Sequence, residues 1–289
     1  MARQTATRVG VITKPNEPRA ATVAATIASW AARHGLSLLV DERLPDIPEH
    51  AVKASHQEIA EESDLLVVLG GDGTMIASAR LVAGRGIPVL GINLGSLGYL
   101  TEFAVDDTTR ALDGVIGGQY RIDHRTMLDW SIIRDDVEVA HDSVLNDVVI
   151  NKSALARVIE IGCQIGGSEV TTYRADGLIV STPTGSTAYN LSAGGPIIYP
   201  KTEAISIAPI CPHTLTNRPI VLPDSVEINL HLITREQDVM LTSDGQIGFR
   251  LTGGDRVRIR KSEKTFDMIR PMDRDYFQIL RDKLKWSGR

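Results

Sequence analysis

The chain is organised around a short apolar segment that ends in a cluster of glycines. Residues 65–69 are five consecutive Leu and Val residues, which is typical of a strand buried on both faces. Residues 70–74 then read Gly-Gly-Asp-Gly-Thr, and residues 75–83 favour a helix. A strand, a tight turn and a helix start bring free backbone N–H groups and the positive end of a helix dipole to one place. We therefore predict a phosphate-binding turn at residues 70–74.

One carboxylate, that of Asp72, lies inside this turn. A carboxylate beside a phosphate is unfavourable unless it binds a metal or accepts a proton during chemistry. The alternative is that Asp72 only caps the helix that follows. Two widespread phosphate loops do not fit, because Ile76 replaces the third glycine of a dinucleotide fingerprint and no Gly-Lys-Ser/Thr tripeptide occurs in the chain.

The composition limits the class of protein and its partners. With 289 residues, 43% of them hydrophobic and 23% charged, the chain predicts a globular protein of two domains. A net charge of −5 argues against nucleic acid or an anionic membrane as the main partner, and no apolar run approaches the ~20 residues that cross a bilayer. The two cysteines, Cys163 and Cys211, lie beside apolar residues, which predicts buried free thiols and a cytoplasmic location.

The pattern of secondary structure changes along the chain. Residues 1–118 alternate strand and helix, including helices predicted over 51–60 and near 108–116. This alternation favours a parallel sheet with helices on both faces and ligand sites at the carboxyl ends of strands. Short strands, among them one over 144–150, then dominate residues 119–274 and predict a mostly antiparallel β domain. Residues 275–289 predict a helix that packs back on the first domain.

Two further polar segments lie within the β-rich region. Residues 176–196 are dense in glycine and hydroxyl side chains, which suit phosphates and ribose, and Tyr189 offers a face on which a base can stack. The alternative is a Ser/Thr-rich surface loop. Asn146 and Asp147 interrupt an apolar strand and must find polar partners, either on a ligand or at a β-bulge. Residues 243–246 could belong to a binding site, but they could equally be a plain hairpin turn.

Taken together, these segments resemble the NAD kinases of the bacterial type, over nearly the whole chain. The resemblance is carried by the turn at 70–74, the glycine loop at 91–101, the pair at 146–147 and the segments 176–196, 212–215 and 244–246. Lipid kinases and phosphofructokinases share the first motif but not the Thr-Pro-Thr-Gly-Ser-Thr-Ala-Tyr run. The resemblance implies an α/β N-terminal domain with a parallel sheet and a mostly antiparallel, β-sandwich-like C-terminal domain.

The resemblance also implies an activity. Such an enzyme transfers the γ-phosphoryl group of ATP to the 2′-hydroxyl of the adenosine ribose of NAD, giving NADP and ADP, with Mg²⁺ or another divalent cation. It forms a homodimer or homotetramer. Asp72 would be the general base, and the sequence identifies no direct metal ligands. A non-catalytic NAD-binding sensor and a lipid kinase of the same superfamily remain alternatives.

The resemblance assigns two groups of binding residues. Many relatives have Glu at the position of Asp147. The residues implied for NAD are Asp72, Gly73, Asn146, Asp147, Arg157, Arg174, Asp176, Thr187, Ala188, Tyr189, Asn190, Leu191, Ser192 and Gln246. The residues implied for the phosphate donor are Gly70, Gly71, Gly73 and Thr74.

Overall fold

The structure is a computed structural model that describes residues 7–153, 157–235 and 238–286. Its strands, in chain order, are β1 (Arg8–Thr13), β2 (Ser37–Asp41), β3 (Ala51–Ala54), β4 (Leu65–Gly70), β5 (Val89–Asn93), β6 (Phe103–Ala104), β7 (Arg121–Arg134), β8 (Val137–Val144), β9 (Asp147–Lys152), β10 (Ile159–Ile165), β11 (Ser168–Ala175), β12 (Gly177–Ser181), β13 (Ala204–Ile210), β14 (Ile220–Pro223), β15 (Ile228–Leu232), β16 (Val239–Ser243), β17 (Ile247–Leu251) and β18 (Arg256–Arg270).

The α-helices are fewer. They are α1 (Arg19–Arg33), α2 (His56–Glu62), α3 (Asp72–Val82), α4 (Thr108–Ile116), α5 (Tyr189–Ser192) and α6 (Tyr276–Leu284). No helix in the described ranges is both long and apolar enough to cross a membrane.

The chain divides into two compact units. The first unit runs to residue 124 and resumes at residue 266, so it includes α6, and the second unit comprises residues 125–265. Strand β18 contributes residues 256–265 to the second unit and residues 266–270 to the first.

The first unit contains a parallel sheet in the order β3-β2-β1-β4-β5. The end of β18 continues this sheet, since Met268 pairs in parallel with Val89 of β5. The connections reverse direction between β1 and β4, which creates a switch point at their carboxyl ends. Both predicted glycine loops follow strands of this sheet, β4 and β5.

Helices cover both faces of this sheet, as the sequence predicts. Successive residues of a strand point to opposite faces. Val9 and Val11 belong to the apolar core that also contains α1 and α4. Gly10 points the other way, towards α2, where a Cβ atom would lie 2.6 Å from the side chain of Ile59. The predicted helix over 108–116 is confirmed as α4.

The helix predicted over 51–60 is wrong in its first half. Residues 51–54 form β3, which pairs in parallel with β2. The helix begins only after Ser55, whose side chain accepts from the N–H of Glu58 while the Glu58 carboxylate accepts from the N–H of Ser55. This reciprocal cap fixes the start of α2 and leaves the preceding residues to the sheet edge.

The second unit consists of antiparallel sheets packed around a large apolar core, which confirms the β-sandwich-like prediction. One sheet has the order β14-β13-β12-β9-β16-β17, and the second-unit part of the other has the order β11-β10-β15-β18. The β7–β8 hairpin adds a further antiparallel pair. Trp130, Ile161 and Val180 lie in the shared core.

The single strand predicted over 144–150 is instead two strands. Strand β8 ends at Val144 and pairs with β7, whereas β9 begins at Asp147 and pairs with β12 and β16. Leu145 and Asn146 form a bend between them. The backbone groups of this bend bind side chains in place of strand partners, as described below.

The prediction that both thiols are buried holds for one of them. Cys163 is buried, and burial raises the pKa of its thiol to about 11. Cys211 is exposed. It follows the buried strand β13 in a turn with a φ of 44°, so the pattern of the strand no longer governs the direction of its side chain.

Candidate active site

A pocket of about 300 Å³ lies at the switch point of the first unit's parallel sheet. Strand β4 ends at Gly70, Gly71 is the N-cap, and α3 begins at Asp72. The N–H groups of the first turn therefore face this end of the sheet, where an anion is favoured. The pocket is lined by Lys14, Glu17, Arg19, Gly70, Gly71, Asp72, Asn93, Leu94, Gly95, Ser96, Gly98 and Lys283.

The first glycine of the turn lies in close contact with the helix that follows. A Cβ atom on Gly70 would lie 2.4 Å from the Oγ1 atom of Thr74, so only glycine fits there. The N–H groups of Thr74 and Met75 donate to the carbonyl of Gly71 at 3.0 and 3.2 Å. Gly70 and Gly71 line the pocket, whereas Gly73 and Thr74 lie in the first helical turn outside its lining.

The carboxylate of Asp72 joins the turn to the second glycine loop. Its Oδ2 atom accepts from the N–H of Tyr99 at 2.8 Å. Its Oδ1 atom accepts from the N–H groups of Leu100 and Thr101 at 3.0 and 3.2 Å, and from the Thr101 hydroxyl at 3.2 Å. Gly71 is the N-cap of α3 and Asp72 is its first residue, so the carboxylate of Asp72 connects the start of this helix to the second glycine loop.

The second loop fits closely around this carboxylate. A Cβ atom on Gly98 would lie 1.9 Å from Oδ1 of Asp72, which makes glycine obligatory at that position. Oδ1 receives three donors and Oδ2 receives one. Oδ2 is therefore the oxygen with more capacity to accept a further proton or hydrogen bond.

A buried ion cluster fixes the chain immediately after this loop. The guanidinium of Arg270 donates to both carboxylate oxygens of Glu102, at 2.5 and 3.2 Å, and to Asp123 at 3.5 Å. All three residues are buried. Because Glu102 follows Thr101 directly, the cluster holds the end of the loop that binds Asp72.

In the second unit, Leu145 and Asn146 form a bend whose carbonyl groups are bound by the hydroxyl-rich segment. The N–H of Thr182 donates to the carbonyl of Asn146 at 2.8 Å, and the Thr182 hydroxyl donates to that of Leu145 at 2.6 Å. A Cβ atom on Gly185 would lie 2.2 Å from the Asn146 carbonyl oxygen, so glycine is required there. The N–H side of the bend is bound by the carboxylate of Asp244.

The carboxyl group of Asp147, directly after the bend, has a raised pKa. Asp147 is only 4% exposed. Burial and the negative charge of Asp244 raise its pKa from 3.8 to about 7. A carboxyl group in this state carries a proton at mildly acidic pH and then donates a hydrogen bond.

This pKa gives a testable pH dependence. Between about pH 4 and 7 the folded chain retains a proton on Asp147 that the unfolded chain has released, so this residue makes the native protein less stable as the pH rises. Asp147→Asn removes the titration. We expect the unfolding free energy of the variant, relative to the native chain, to increase by up to about 1.4 kcal/mol per pH unit across this window. Urea denaturation of both proteins at several pH values measures the difference, and parallel pH curves would contradict it.

The hydroxyl-rich segment contains exposed and buried members of the predicted NAD set. Tyr189 is 41% exposed and can offer a ring face to a ligand. Asn190 is buried, and its side-chain amide binds the carbonyls of Ser186 and Pro196 and the hydroxyl of Ser206. Asn190 therefore holds the segment together. Thr187, Ala188, Leu191 and Ser192 are partly or fully exposed.

The structure brings together only part of the predicted NAD set. Antiparallel pairing places Asp147 opposite Ser181, and Ser243 opposite Val148, so the bend, the hydroxyl-rich segment and the 244–246 turn with Gln246 share one end of their sheet.

Asp72 and Gly73 belong to the first unit, and three members of the set in the second unit lie away from this end of the sheet. Asp176 precedes β12 at its other end, roughly 17 Å away along five residues, and pairs with Lys152 at 3.6 Å. Arg174 pairs with Glu160 at 3.1 Å, and Arg157 is exposed shortly before β10.

Several charged residues at these sites were not assigned from the sequence, among them Glu17 and Arg19 of the pocket. Lys14 and Lys283 line the pocket beside Asp72, and Asp244 binds the bend. Lys14 follows β1 directly, so the rule that sites lie at the carboxyl ends of parallel strands could have found it. Residues 244–246 form one of the segments that carry the resemblance, but the bond from Asp244 to the bend and the place of Lys283 in the pocket have no local signal, because their partners are distant in sequence.

The first unit has the construction of a kinase that activates a hydroxyl acceptor, with a carboxylate beside a glycine turn that can bind phosphates. Residues 9–120 match the family model of the ATP-NAD kinase N-terminal domain, and residues 145–271 match that of the C-terminal domain. The chain therefore belongs to the ATP-NAD kinase family, which confirms the resemblance noted from its motifs.

Individual relatives agree along nearly the whole chain. The NAD kinase of Geotalea daltonii is 46% identical over 282 residues, covering 98% of this chain and 99% of its own. That of Geobacter sulfurreducens is 45% identical with the same coverage. Among solved structures, yeast NADH kinase complexed with NADH has a TM-score of 0.88 at 27% identity, covering 99% of this chain and 90% of its own. An NAD kinase from Archaeoglobus fulgidus in complex with ATP has a TM-score of 0.74 at 25% identity, covering 97% and 100%.

Proposed function

We propose that this kinase transfers the γ-phosphoryl group of ATP to the 2′-hydroxyl of the adenosine ribose of NAD, giving NADP and ADP, with Asp72 as the general base. The observation that supports it most is the position of Asp72, whose carboxylate is fixed beside a glycine turn in a pocket with cationic walls. A ribose hydroxyl is a poor nucleophile, so a carboxylate in hydrogen-bond reach must accept its proton as it attacks phosphorus.

The pocket at the switch point is the proposed site for the donor phosphates. Its N–H groups at the start of α3 and the ammonium groups of Lys14 and Lys283 offset negative charge. Gly70 and Gly71 let the phosphates approach the backbone, as the sequence predicts. Binding of the donor phosphates by Gly73 and Thr74 stays a prediction.

A divalent cation is part of the proposal. Mg²⁺ is usually held by one or two carboxylates together with substrate phosphates and water. The pocket offers the carboxylates of Asp72 and Glu17, and the described residues contain no cluster of three or more His, Cys, Asp or Glu that could hold a metal by itself. These residues fit a cation carried mainly by the donor, where it would neutralise charge on the phosphates.

The acceptor site is proposed at the end of the sheet that carries Asn146, Asp147, Tyr189 and Gln246. The yeast relative was solved in complex with NADH and the archaeal relative in complex with ATP, which supports a dinucleotide and a nucleoside triphosphate as substrates. Direct contacts from Arg157, Arg174 and Asp176 stay predictions, as does the choice of NAD over NADH.

The Asn146 side chain gives a direct test of the acceptor site. The backbone of Asn146 is held by other residues, so Asn146→Ala should leave the bend intact while removing one hydrogen bond to the dinucleotide. We expect NAD binding to weaken by about 1–3 kcal/mol, roughly 5- to 150-fold. Steady-state kinetics would show this as a higher Michaelis constant for NAD with that for ATP nearly unchanged. The reverse pattern would remove Asn146 from the acceptor site.

The decisive experiment for the activity is an assay with purified protein, NAD, ATP and Mg²⁺. Formation of NADP supports the kinase assignment, and NAD binding without NADP would indicate a sensor instead. Parallel reactions with polyphosphate and with NADH define the donor and the acceptor.

Assembly and location are proposed on the basis of the family. We expect a homodimer or homotetramer in the cytoplasm. Light scattering that gives a 31.4 kDa particle at all concentrations would exclude the oligomer.

A further inference from the structure

Asp244 occupies an unusual position for a charged residue. It is the first residue of the three-residue turn between β16 and β17, it is buried, and its backbone is left-handed with a φ of 53°. Asp and Asn adopt this conformation more readily than most residues, and Gly245 continues it with a φ of 64°. The turn alone therefore explains an Asp at this position but not its burial.

The carboxylate of Asp244 binds three consecutive backbone N–H groups. Oδ1 accepts from Asn146 at 2.7 Å and from Asp147 at 3.2 Å. Oδ2 accepts from Leu145 at 3.2 Å. In return, the N–H of Asp244 donates to the carbonyl of Asp147 at 2.9 Å. Four hydrogen bonds thus connect Asp244 to residues 145–147, and hydrogen bonds to a buried charged group are stronger than neutral ones.

Within the described chain, no neighbouring strand pairs with the N–H side of the bend. Strand β8 ends before it and β9 begins at its end, while Thr182 binds its carbonyl groups from the opposite side. The backbone at Asn146 is consequently fixed by Asp244 and Thr182 together. The direction of the Asn146 side chain depends on this backbone.

We propose that Asp244 is a positioning residue that holds the Leu145–Asp147 backbone so that Asn146 and Asp147 present their side chains to the dinucleotide. This inference deepens the proposed function and rests on it for the identity of the ligand. The negative charge of Asp244 also acts on the carboxyl group of Asp147, the first residue after the bend.

Because Asp244 has two acceptor oxygens, one substitution can remove part of its hydrogen bonds and another can remove all of those made by its side chain. Asp244→Asn retains one acceptor oxygen, and Asn is tolerated in the left-handed turn. With that oxygen at the Oδ1 position, the N–H groups of Asn146 and Asp147 keep their acceptor while that of Leu145 loses it. Asp244→Ala removes the acceptor of all three.

A matched control is available in another turn of the same unit. Asp135 also has a left-handed backbone, with a φ of 49°, in the exposed turn between β7 and β8. Asp135→Ala therefore imposes a similar conformational cost without touching the bend. It should leave both the exchange and the kinetics described below unchanged.

Amide hydrogen exchange on the ligand-free protein tests directly whether Asp244 holds the backbone of residues 145–147. We expect exchange of the Leu145, Asn146 and Asp147 N–H groups to accelerate on the order of tenfold or more in Asp244→Ala, and that of Leu145 alone in Asp244→Asn. The N–H of Val149, inside β9, should exchange as in the native chain. Unchanged exchange of the three groups would overturn the proposal, as would equal acceleration at Val149, because the carboxylate would then support the whole fold.

Kinetics test the consequence for the ligand. We expect the Michaelis constant for NAD to rise about tenfold or more in Asp244→Ala and to recover largely in Asp244→Asn, with that for ATP within about twofold of native in both. Equal rises for both substrates would overturn the proposal. The exchange experiment needs no substrate, so failure of the native chain to form NADP would refute the proposed function without deciding the exchange result. If Asp244→Ala does not fold, exchange of the Leu145 N–H in Asp244→Asn decides: acceleration at Leu145 alone supports the proposal, and unchanged exchange there overturns it.

Discussion

In Asp72→Asn we expect turnover to fall by about 10²- to 10⁴-fold while NAD still binds. This is the range that general-base catalysis contributes, and the amide cannot accept the ribose proton as a carboxylate does. Steady-state rates with calorimetric titration of NAD measure the two effects. Near-normal turnover in this variant would refute the catalytic role.

The structure adds a control to this experiment, because Asp72 also anchors the loop at Tyr99 and Thr101. An Asn side chain has one acceptor oxygen, so part of this anchoring is lost together with the base. Thr101→Val removes a donor to the same carboxylate but leaves the carboxylate in place. If anchoring alone explained the loss, Thr101→Val would lower turnover to a similar extent. A much smaller loss in Thr101→Val supports proton acceptance.

The second large effect is expected in the buried ion cluster of the first unit. Arg270→Met should lower the unfolding free energy by about 3–5 kcal/mol, because Glu102 and Asp123 would lose the guanidinium that compensates their buried charge. Urea denaturation followed by circular dichroism measures the change.

The control for this prediction removes one of the two carboxylates as well. Glu102→Gln combined with Arg270→Met leaves less uncompensated charge, so the double variant should be more stable than the single one. A loss below about 1 kcal/mol in Arg270→Met would show that solvent reaches the cluster and screens it.

The parts of the fold that could be predicted from sequence are those that local pattern determines. The glycine turn with Asp72, the alternation of strand and helix before residue 118 and the helix at 108–116 all depend on neighbouring residues. The prediction failed where distant residues decide the structure. Residues 51–54 pair with β2 instead of joining α2, and the break at Asn146 depends on Asp244, 98 residues further along the chain.

The same limit applies to the candidate site. The position of Asp72 in a glycine turn can be predicted because that turn is continuous in sequence, and its role as general base stays a prediction. The hydrogen bonds between its carboxylate and the 99–101 loop could not be predicted, since they depend on how two loops meet at the switch point. Lys283 lies on a helix whose sequence gave only a packing role, and the pocket that it lines appears only once the chain is folded.

The first unit is assembled from both ends of the chain, and this has a consequence during synthesis on the ribosome. Residues 125–265 are continuous, so the second unit can fold as soon as they have emerged. The edge next to β5 needs Met268, and the pocket wall needs Lys283, so the first unit is completed only when translation has almost ended. A truncated transcript would therefore yield a chain that lacks part of the pocket beside Asp72, although it contains every residue of the glycine turn.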